Sequence, residues 1–337
     1  MTLDTTTRFL HVANGTATTR LIEAARIPGM SSIWADVLYE GPVPANLSDA
    51  ELLEVRVRFL APDDEPGASH PSLDPVNDLR QWRAVIERSD GYDELILWFE
   101  HDLFDQLNLI QVLSWIHGRL PSEKTVSLVM IGSFAGHPRF KGLGELRPDE
   151  IASLLDRRQR VSELQYQLAE AAWGAFRAPA PDGLDDIRRR DTSALPYLAA
   201  AITRFLQEYP WTSDGLSRTE RRLLSLARES GISLISAFPR MHDDEQAYYI
   251  TDGSLASTAT DLARSLPPLL TLSEPAVAGA DLLRGSIALT ETGRAVLAGE
   301  QDRVVACGLD RWLGGVHLQS GGTLWRWDDT RQRVIPS

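Results

Sequence analysis

The stretch ELILWFEHDLFDQLNLI, residues 94–110, decides the fold of the N-terminal half of this chain. The segment from Glu94 to Phe99 is an almost continuous apolar run, which is typical of a central strand in a sheet covered on both faces. Asp102 then begins a helical pattern, in which Leu103 and Leu107 lie on one apolar face. A buried strand followed directly by a helix is the repeating unit of a parallel α/β sheet.

Similar units lie on both sides of this stretch. Strands are indicated by apolar runs or alternation, helices by apolar spacing and capping residues, and turns by Gly and Pro. The sequence predicts further strands at 8–13, 32–39 and 126–131, helices at 16–27, 48–60 and 76–88, and an exposed loop at 62–75. This alternation predicts an α/β fold with a mostly parallel, Rossmann-like sheet and helices on both faces.

The pattern changes twice after this first domain, which we assign to residues 1–147. Residues 148–214 have helical spacing interrupted by prolines, and we predict a helical connector there. From Gly215 the chain begins a new pattern, and we predict a winged-helix-like α+β domain at 215–337.

The C-terminal prediction depends on helix and hairpin signals. In GLSRTERRLL, Ser217 and Glu220 have the spacing of a capping box at the start of a helix. Further helices follow, and a Gly-rich turn separates two short β-patterned segments at 316–318 and 324–327. We expect these segments to pair as a β-hairpin. Helices followed by a hairpin are typical of a winged helix.

Composition limits the classes of function. The chain has 337 residues and a formal net charge of −13, and neither the part before residue 215 nor the rest has the positive excess that drives non-specific binding of nucleic acid. We find no apolar run near the ~18 residues of a membrane span and no secretory signal. Cys307 is the single cysteine, which excludes an internal disulfide. We expect a cytoplasmic protein without membrane contact, and the sequence leaves cofactor and oligomeric state open.

Polar side chains gather where the predicted parallel strands end. Ligands of open α/β sheets bind outside the carboxyl ends of the strands, so these positions are candidate site residues. They are His11, Asn14, Gly15 and Thr16 at the first strand, Trp34, Asp36 and Glu40 at the second, Glu100, His101, Asp105 and Gln106 at the third, and Ser133 at the fourth.

The group from Glu100 to Asp105 is the strongest candidate for chemistry. His101 can act as a general acid or base, with Glu100 or Asp105 orienting its ring. The same histidine with either carboxylate can also bind a metal ion. The alternative interpretation is structural for half of the group: Asp102 caps the helix, and Asp105 favours the helix dipole. It does not explain Glu100 and His101.

The turn Asn14-Gly15-Thr16 lies between the first strand and the first helix. Glycine allows close approach to the backbone, and a helix N-terminus offers free N–H groups, so this turn can bind a phosphate or another anion. In the alternative interpretation, Asn14 and Gly15 only form the turn and Thr16 caps the helix.

Several other residues have both a functional and a structural interpretation. His11 precedes the strand end and is a second candidate acid or base. Trp34 can stack on a planar ligand, but a buried tryptophan with a bonded N–H is the commoner case. In the C-terminal half, Arg326 between two tryptophans can contact nucleic acid or phosphate. We favour an aromatic and Arg–Asp network that anchors this segment to the protein.

Seven motifs together resemble one bacterial family, known as domain of unknown function 1835, with a companion C-terminal domain. They are HVANG, WADVLYEGPVP, LWFEHDLFDQLNLI, KGLGEL, GLSRTERRLL, LTETGRAVLAG and DRWLGGVHL followed by WRWD. The resemblance covers almost the whole chain. It departs from the family pattern at Thr16, where many relatives have an acidic residue. The family has no settled activity, so the resemblance implies domain boundaries and site positions only.

Three hypotheses for the function follow. The first is an enzyme for a small polar substrate, phosphorylated or nucleotide-like, with His101 as acid or base and Asn14-Gly15 as anion anchor. The second is a regulator whose α/β domain senses a ligand and whose winged helix binds nucleic acid or a protein. Its basic helix face carries Arg218, Arg221, Arg222 and Arg228. The third is a scaffold whose polar strand ends only cap loops.

Overall fold

A computed structural model describes residues 8–60, 75–229, 231–274 and 282–337. The loop predicted at 62–75 lies outside these residues except for its last position. No helix in the described ranges is long and apolar enough to cross a bilayer.

The helices and strands are labelled in chain order. They are β1 Phe9–Ala13, α1 Thr16–Ala24, β2 Met30–Ile33, β3 Gly41–Pro42, α2 Asp49–Leu60, α3 Pro75–Glu87, β4 Glu94–Glu100, α4 Leu103–Ile116, β5 Thr125–Ile131, α5 Pro148–Leu155, β6 Gln159–Arg160, α6 Glu163–Phe176, α7 Asp182–Ile187, α8 Leu198–Leu206, α9 Arg218–Leu226, β7 Ile232–Ser233, α10 Leu234–Met241, α11 Asp252–Arg264, β8 Leu270–Leu272, β9 Ser286–Leu289, α12 Glu291–Leu297, α13 Arg303–Cys307, β10 Asp310–Gly314, β11 Val316–Gln319, β12 Trp325–Asp328 and β13 Arg333–Pro336.

The chain divides into two compact units, each made of several segments. The first takes the described residues within Met1–Tyr39, Val76–Ala175 and Ile187–Ala201, and the second takes those within Glu40–Pro75, Phe176–Asp186 and Ile202–Ser337. The segment predicted as a helical connector is therefore shared between the two units.

The first unit contains the predicted α/β sheet. Its strand order is β2-β1-β4-β5-β6, and all neighbours are parallel except β5 and β6. Helices α1 and α5 cover one face, where Ile22 and Ile151 pack with Ile96 and Trp98 of β4. Strand residues of the opposite parity, such as Leu97, are also fully buried, and α4 packs against β4. A mostly parallel sheet flanked by helices is confirmed.

The second predicted strand is shorter than expected. It pairs with β1 only from Met30 to Ile33, so the prediction of a strand to residue 39 is wrong. The chain leaves the sheet because the side chain of Asn108, on α4, forms hydrogen bonds with the backbone N–H and carbonyl of Asp36, which a strand partner would otherwise bind. Asn108 accepts from the Asp36 N–H at 2.9 Å and donates to the Asp36 carbonyl at 2.8 Å.

In the second unit the predicted C-terminal strands form, but they pair with other partners. β10 pairs with β11, and β12 pairs with β13, so the predicted pairing of segment 316–318 with segment 324–327 is wrong. The first hairpin turns at Gly314 and Gly315, since Leu313 lies opposite Val316. Gly314 has φ of 60°, which suits glycine at this position.

The expected anchoring network of the C-terminal segment is confirmed. Arg326 donates to Asp302 at 2.6 Å, and Trp327 is fully buried beside Trp211, with which it forms a β-bridge. Upstream, helices α9 to α12 lie among the three strands of a small antiparallel sheet of order β7-β9-β8. The predicted capping box of α9 is present, with Ser217 and Glu220 bonded reciprocally.

Candidate functional site

The candidate site of the first unit lies between β1 and β4, where the order of the strands in the sheet changes direction relative to the order along the chain. β1 is followed along the chain by β2 on one side, whereas β4 on its other side is followed by β5 further out. Such a switch point opens a crevice at the carboxyl ends of the two central strands. Here those ends carry Asn14, directly after β1, and Glu100, the last residue of β4.

Hydrogen bonds join these two strand ends. Nδ2 of Asn14 donates to Oδ2 of Asp105, in the first turn of α4, at 2.6 Å. The other oxygen of Asp105 accepts from the backbone N–H of Glu100 at 2.7 Å. The Asn14 amide also favours the ionised form of Glu100. One amide at the end of β1 therefore acts on two carboxyl groups at the junction of β4 and α4.

The loop after β5 closes over Glu100. The N–H of Leu143 donates to Oε1 of Glu100 at 2.5 Å. Gly142 lies against the same carboxyl group, since a Cβ atom there would lie 2.9 Å from Cδ of Glu100. Gly144 approaches Ala17, in the first turn of α1. This loop, KGLG at 141–144, therefore borders both the carboxyl groups and the start of α1.

Burial changes the acidity of the cluster formed by Glu100, Asp102 and Asp105, which we call the carboxyl cluster. Desolvation, together with the charge of Asp102, raises the pKa of Glu100 to about 8. Desolvation raises the pKa of Asp102 to about 6 and the pKa of Asp105 well above its ordinary value. The cluster therefore holds a proton at neutral pH and titrates as a unit.

The start of α1 is open. Gly15 is the residue before the helix and forms no side-chain cap, and a Cβ atom there would meet nothing within 4 Å. Thr16 is the first helical residue, so the interpretation of Thr16 as the cap is wrong. Thr16 and Ala17 are exposed. An uncapped helix N-terminus with room beside it favours an anion.

His11 lies in the core rather than at the strand end. It is fully buried, its Nε2 donates to the carbonyl of Pro28 at 3.0 Å, and its Nδ1 accepts from Trp98 at 3.1 Å. Burial lowers the pKa of His11, although the bond to Pro28 opposes the shift. Both ring nitrogens serve packing, so the structure does not bring His11 to the carboxyl cluster.

The site residues predicted at the second strand are also not part of the carboxyl cluster. Trp34 is buried and donates to Gln111 at 2.8 Å, which confirms the core interpretation. Asp36 is buried, and its backbone bonds to Asn108. Glu40 belongs to the second unit, where it bonds to Ser254 and burial raises its pKa.

Three other predicted residues come from the segments that follow β4 and β5. His101 is partly exposed, and its ring contacts those of Phe140 and Tyr197 at centroid distances of 6.3 and 6.0 Å. Gln106 is fully buried and donates to the Glu100 carbonyl at 2.5 Å. Ser133 is exposed. The hydrogen bonds described above join Glu100 and Asp105 to Asn14 and to backbone amides.

The structural interpretation of Asp102 is confirmed, because its side chain accepts from the N–H of Asp105 at 2.9 Å at the start of α4. The contact of Gly142 and Leu143 with Glu100 was not predicted from the sequence. The signal was the glycine pair in KGLG, in the loop that follows β5.

Within the described ranges, no group of three or more His, Cys, Asp or Glu side chains has a geometry that could hold a metal ion. No family model matches the chain, and no curated protein is significantly similar to it.

Proposed function

We propose that the first unit is an enzyme that acts on a small polar substrate, phosphorylated or nucleotide-like, at the switch point between β1 and β4. One observation carries this proposal: the Asn14 amide at the end of β1 donates to buried Asp105 and favours the ionised form of buried Glu100, at the carboxyl end of the neighbouring parallel strand β4. Polar clusters of this kind are costly to bury, and strongly shifted pKa values concentrate at functional sites.

The carboxyl cluster suits general acid–base catalysis. A carboxyl group with a pKa near the working pH can both donate and accept a proton at useful rates. Glu100, with a pKa of about 8, keeps its proton at pH 7 and would act as the acid. Asp105, whose pKa is also raised, is the second carboxyl group of the cluster that could exchange a proton with the substrate. The partly exposed His101 beside Glu100 is a further candidate for proton transfer at the surface.

The start of α1 would hold the anionic part of the substrate. The N–H groups of the first turn carry the positive end of the helix dipole. Gly15 leaves room for an anion to approach them. A protonated carboxyl cluster carries less negative charge, so it repels a neighbouring phosphate less than three carboxylates would.

The test is an unbiased ligand search with matched variants. The purified chain, Glu100→Gln, His101→Ala and the control Glu23→Gln, which changes an exposed carboxylate on α1, are analysed by mass spectrometry for co-purifying small molecules and metals. Each variant is then screened against phosphate esters and nucleotides by thermal shift. We expect a ligand whose turnover is lost in Glu100→Gln and kept in Glu23→Gln. Turnover that survives in Glu100→Gln and His101→Ala would refute the assigned chemistry.

A second candidate is a regulator built on a winged-helix-like second unit. The order α9-β7-α10-α11-β8-β9, with the sheet order β7-β9-β8, supports a winged-helix-like arrangement. We propose that such a unit binds a protein rather than nucleic acid. On the basic helix face, Arg218 pairs with Glu245, Arg221 with Asp214 and Arg222 with Asp243. Three of the four arginines of this face are therefore already paired with carboxylates within the described part of the unit, and Arg228 is the exception.

Fluorescence anisotropy with labelled duplex DNA at several salt concentrations tests this candidate. We expect no salt-dependent binding, because that slope measures phosphates neutralised by free cations. Tight binding with a steep salt slope would favour the nucleic-acid regulator. Bacterial origin, a cytoplasmic location and membership of the family of unknown function 1835 stay predictions.

A further inference from the structure

A cavity of about 340 Å³ lies within the second unit. It is formed by the end of α9, the end of β9 and helix α12, and it is lined by Ala227, Arg228, Ala288, Leu289, Arg294 and Leu297. Small-molecule sites commonly have volumes of roughly 300–1,000 Å³. The cavity is therefore large enough for a small ligand.

The lining combines two kinds of surface. Ala227, Ala288, Leu289 and Leu297 give it an aliphatic wall. Arg228 and Arg294 add two guanidinium groups, and both residues are exposed. Sites with an apolar wall and a few charged groups bind ligands through apolar burial and fix their orientation through charge.

The two arginines differ from the other arginines of this unit. Nine others pair with carboxylates, namely Arg204, Arg218, Arg221, Arg222, Arg240, Arg303, Arg311, Arg326 and Arg331. In the described part of the chain, neither Arg228 nor Arg294 forms an ion pair, and Arg294 donates only to the Leu289 carbonyl, at 3.0 Å. Two guanidinium groups therefore remain able to bind an anion, in a chain with a formal net charge of −13.

We propose that this cavity binds a small anion with an aliphatic body, such as a medium-chain carboxylate. The carboxylate would lie between Arg228 and Arg294, and the aliphatic chain would pack on Leu289 and Leu297. Charge-assisted bonds to guanidinium are the strong class of hydrogen bond, which gives the site a preference for acids over alcohols. The proposal does not depend on the function of the first unit.

A structural alternative explains the same arginines without a ligand. Arg228 lies two residues after the end of α9, where a cation stabilises the negative end of the helix dipole. In the same interpretation, Arg294 only stabilises the end of β9, by its hydrogen bond to the Leu289 carbonyl. In this case the cavity would bind apolar molecules weakly and without preference for charge.

Isothermal titration calorimetry on the full chain separates the two. The probes are octanoate, octan-1-ol and acetate, and the variants are Arg228→Gln, Arg294→Gln and the control Arg333→Gln, an exposed arginine of β13. We expect octanoate to bind more tightly than both other probes. Each cavity variant should weaken octanoate about tenfold, which corresponds to about 1.4 kcal/mol, whereas Arg333→Gln should leave it unchanged.

Three outcomes would overturn the proposal: no binding of octanoate at millimolar concentration, equal binding of octanoate and octan-1-ol, or equal affinity in wild type and both cavity variants. The substitutions lie at exposed positions, so folding should be kept, and circular dichroism checks it. Ala288→Trp provides a second test, because it should block the cavity while both arginines stay in place. Binding of octanoate that survives in a folded Ala288→Trp variant would also count against the cavity.

Discussion

The side-chain amide of Asn14 donates to Oδ2 of Asp105 at 2.6 Å, across 91 positions of the sequence. Its own oxygen accepts from the hydroxyl of Thr18 at 3.3 Å, which orients the amide from the first helix. Asn14 therefore connects the end of β1, the start of α1 and the carboxyl cluster. Because all these groups come from the ends of adjacent strands, one side chain fixes the geometry of the crevice.

We predict that Asn14→Ala destabilises the protein. The change leaves an oxygen of buried Asp105 without its donor, and an unsatisfied buried polar group costs about 1–3 kcal/mol. Urea unfolding at pH 7 measures the loss. Thr16→Ala is the matched control, since it removes an exposed side chain two residues away, and its effect should stay within about 0.5 kcal/mol. Equal effects of the two substitutions on the free energy of unfolding would show that the hydrogen bond from Asn14 to Asp105 contributes no extra stability.

We predict that Glu100 makes the protein less stable as the pH rises. Its pKa is about 8 in the folded chain, above the ordinary value of about 4.3 in the unfolded chain. Between these values the folded state binds more protons, so the free energy of unfolding falls with increasing pH. Glu100→Gln removes this titration while keeping an oxygen for the Leu143 N–H.

The expected gain of Glu100→Gln over wild type grows from pH 5 to pH 8, and it is on the order of 2–4 kcal/mol at about 1.4 kcal/mol per pKa unit. Urea unfolding at both pH values gives the difference. The exposed Glu23→Gln serves as the control and should leave the pH slope as it is. Parallel pH slopes in Glu100→Gln and wild type would contradict a raised pKa at this position.

The central sheet could be predicted from sequence because its signals are local. The apolar runs of β4 and β5 and the helical spacing of α4 are complete within each segment, and strand ends in a parallel sheet meet at one edge. The grouping of Asn14, Glu100 and Asp105 follows from that rule alone. The bond from Asn14 to Asp105 does not, since it depends on side-chain geometry.

The wrong predictions concern features that depend on residues distant in the sequence, such as where a strand ends and which strand it pairs with. Alternation continues past Ile33, but the Asn108 side chain binds the backbone of Asp36, so the strand ends early. The C-terminal strands were identified by their pattern, but a pattern of period two does not choose a partner. The turn at Gly314-Gly315 was a sufficient signal for the first hairpin. His11 was assigned to the site although its place inside a buried strand favoured the core.

We predict that His11 contributes stability above pH 6.5 that is lost on acidification. Burial lowers its pKa in the folded chain, whereas the unfolded value is about 6.5. Below that value the unfolded state binds the extra proton, so the free energy of unfolding falls with decreasing pH. His11→Gln should abolish this part of the pH dependence between pH 7 and pH 5.

The measurement for His11 compares urea unfolding of wild type and His11→Gln across that range. At pH 7 the variant should be less stable, because the bonds to Pro28 and Trp98 are weakened, by about 1–3 kcal/mol. The difference should shrink at pH 5. A ligand found for the first unit should still bind the folded variant. A constant difference between pH 7 and pH 5 would argue that His11 does not titrate in this way.

A pair of glycine substitutions tests how closely the KGLG loop fits the carboxyl cluster. In Gly142→Ala the new methyl group would collide with the Glu100 carboxyl group, which already accepts from the Leu143 N–H. Overpacking of a buried site costs about 1–3 kcal/mol. Gly174 lies within α6, and a Cβ atom there meets nothing within 4 Å. Gly174→Ala should therefore stabilise the protein by about 0.5–1 kcal/mol. Thermal or urea unfolding of both variants gives opposite signs if the loop closes on Glu100, and a stabilised Gly142→Ala would mean that the loop leaves room there.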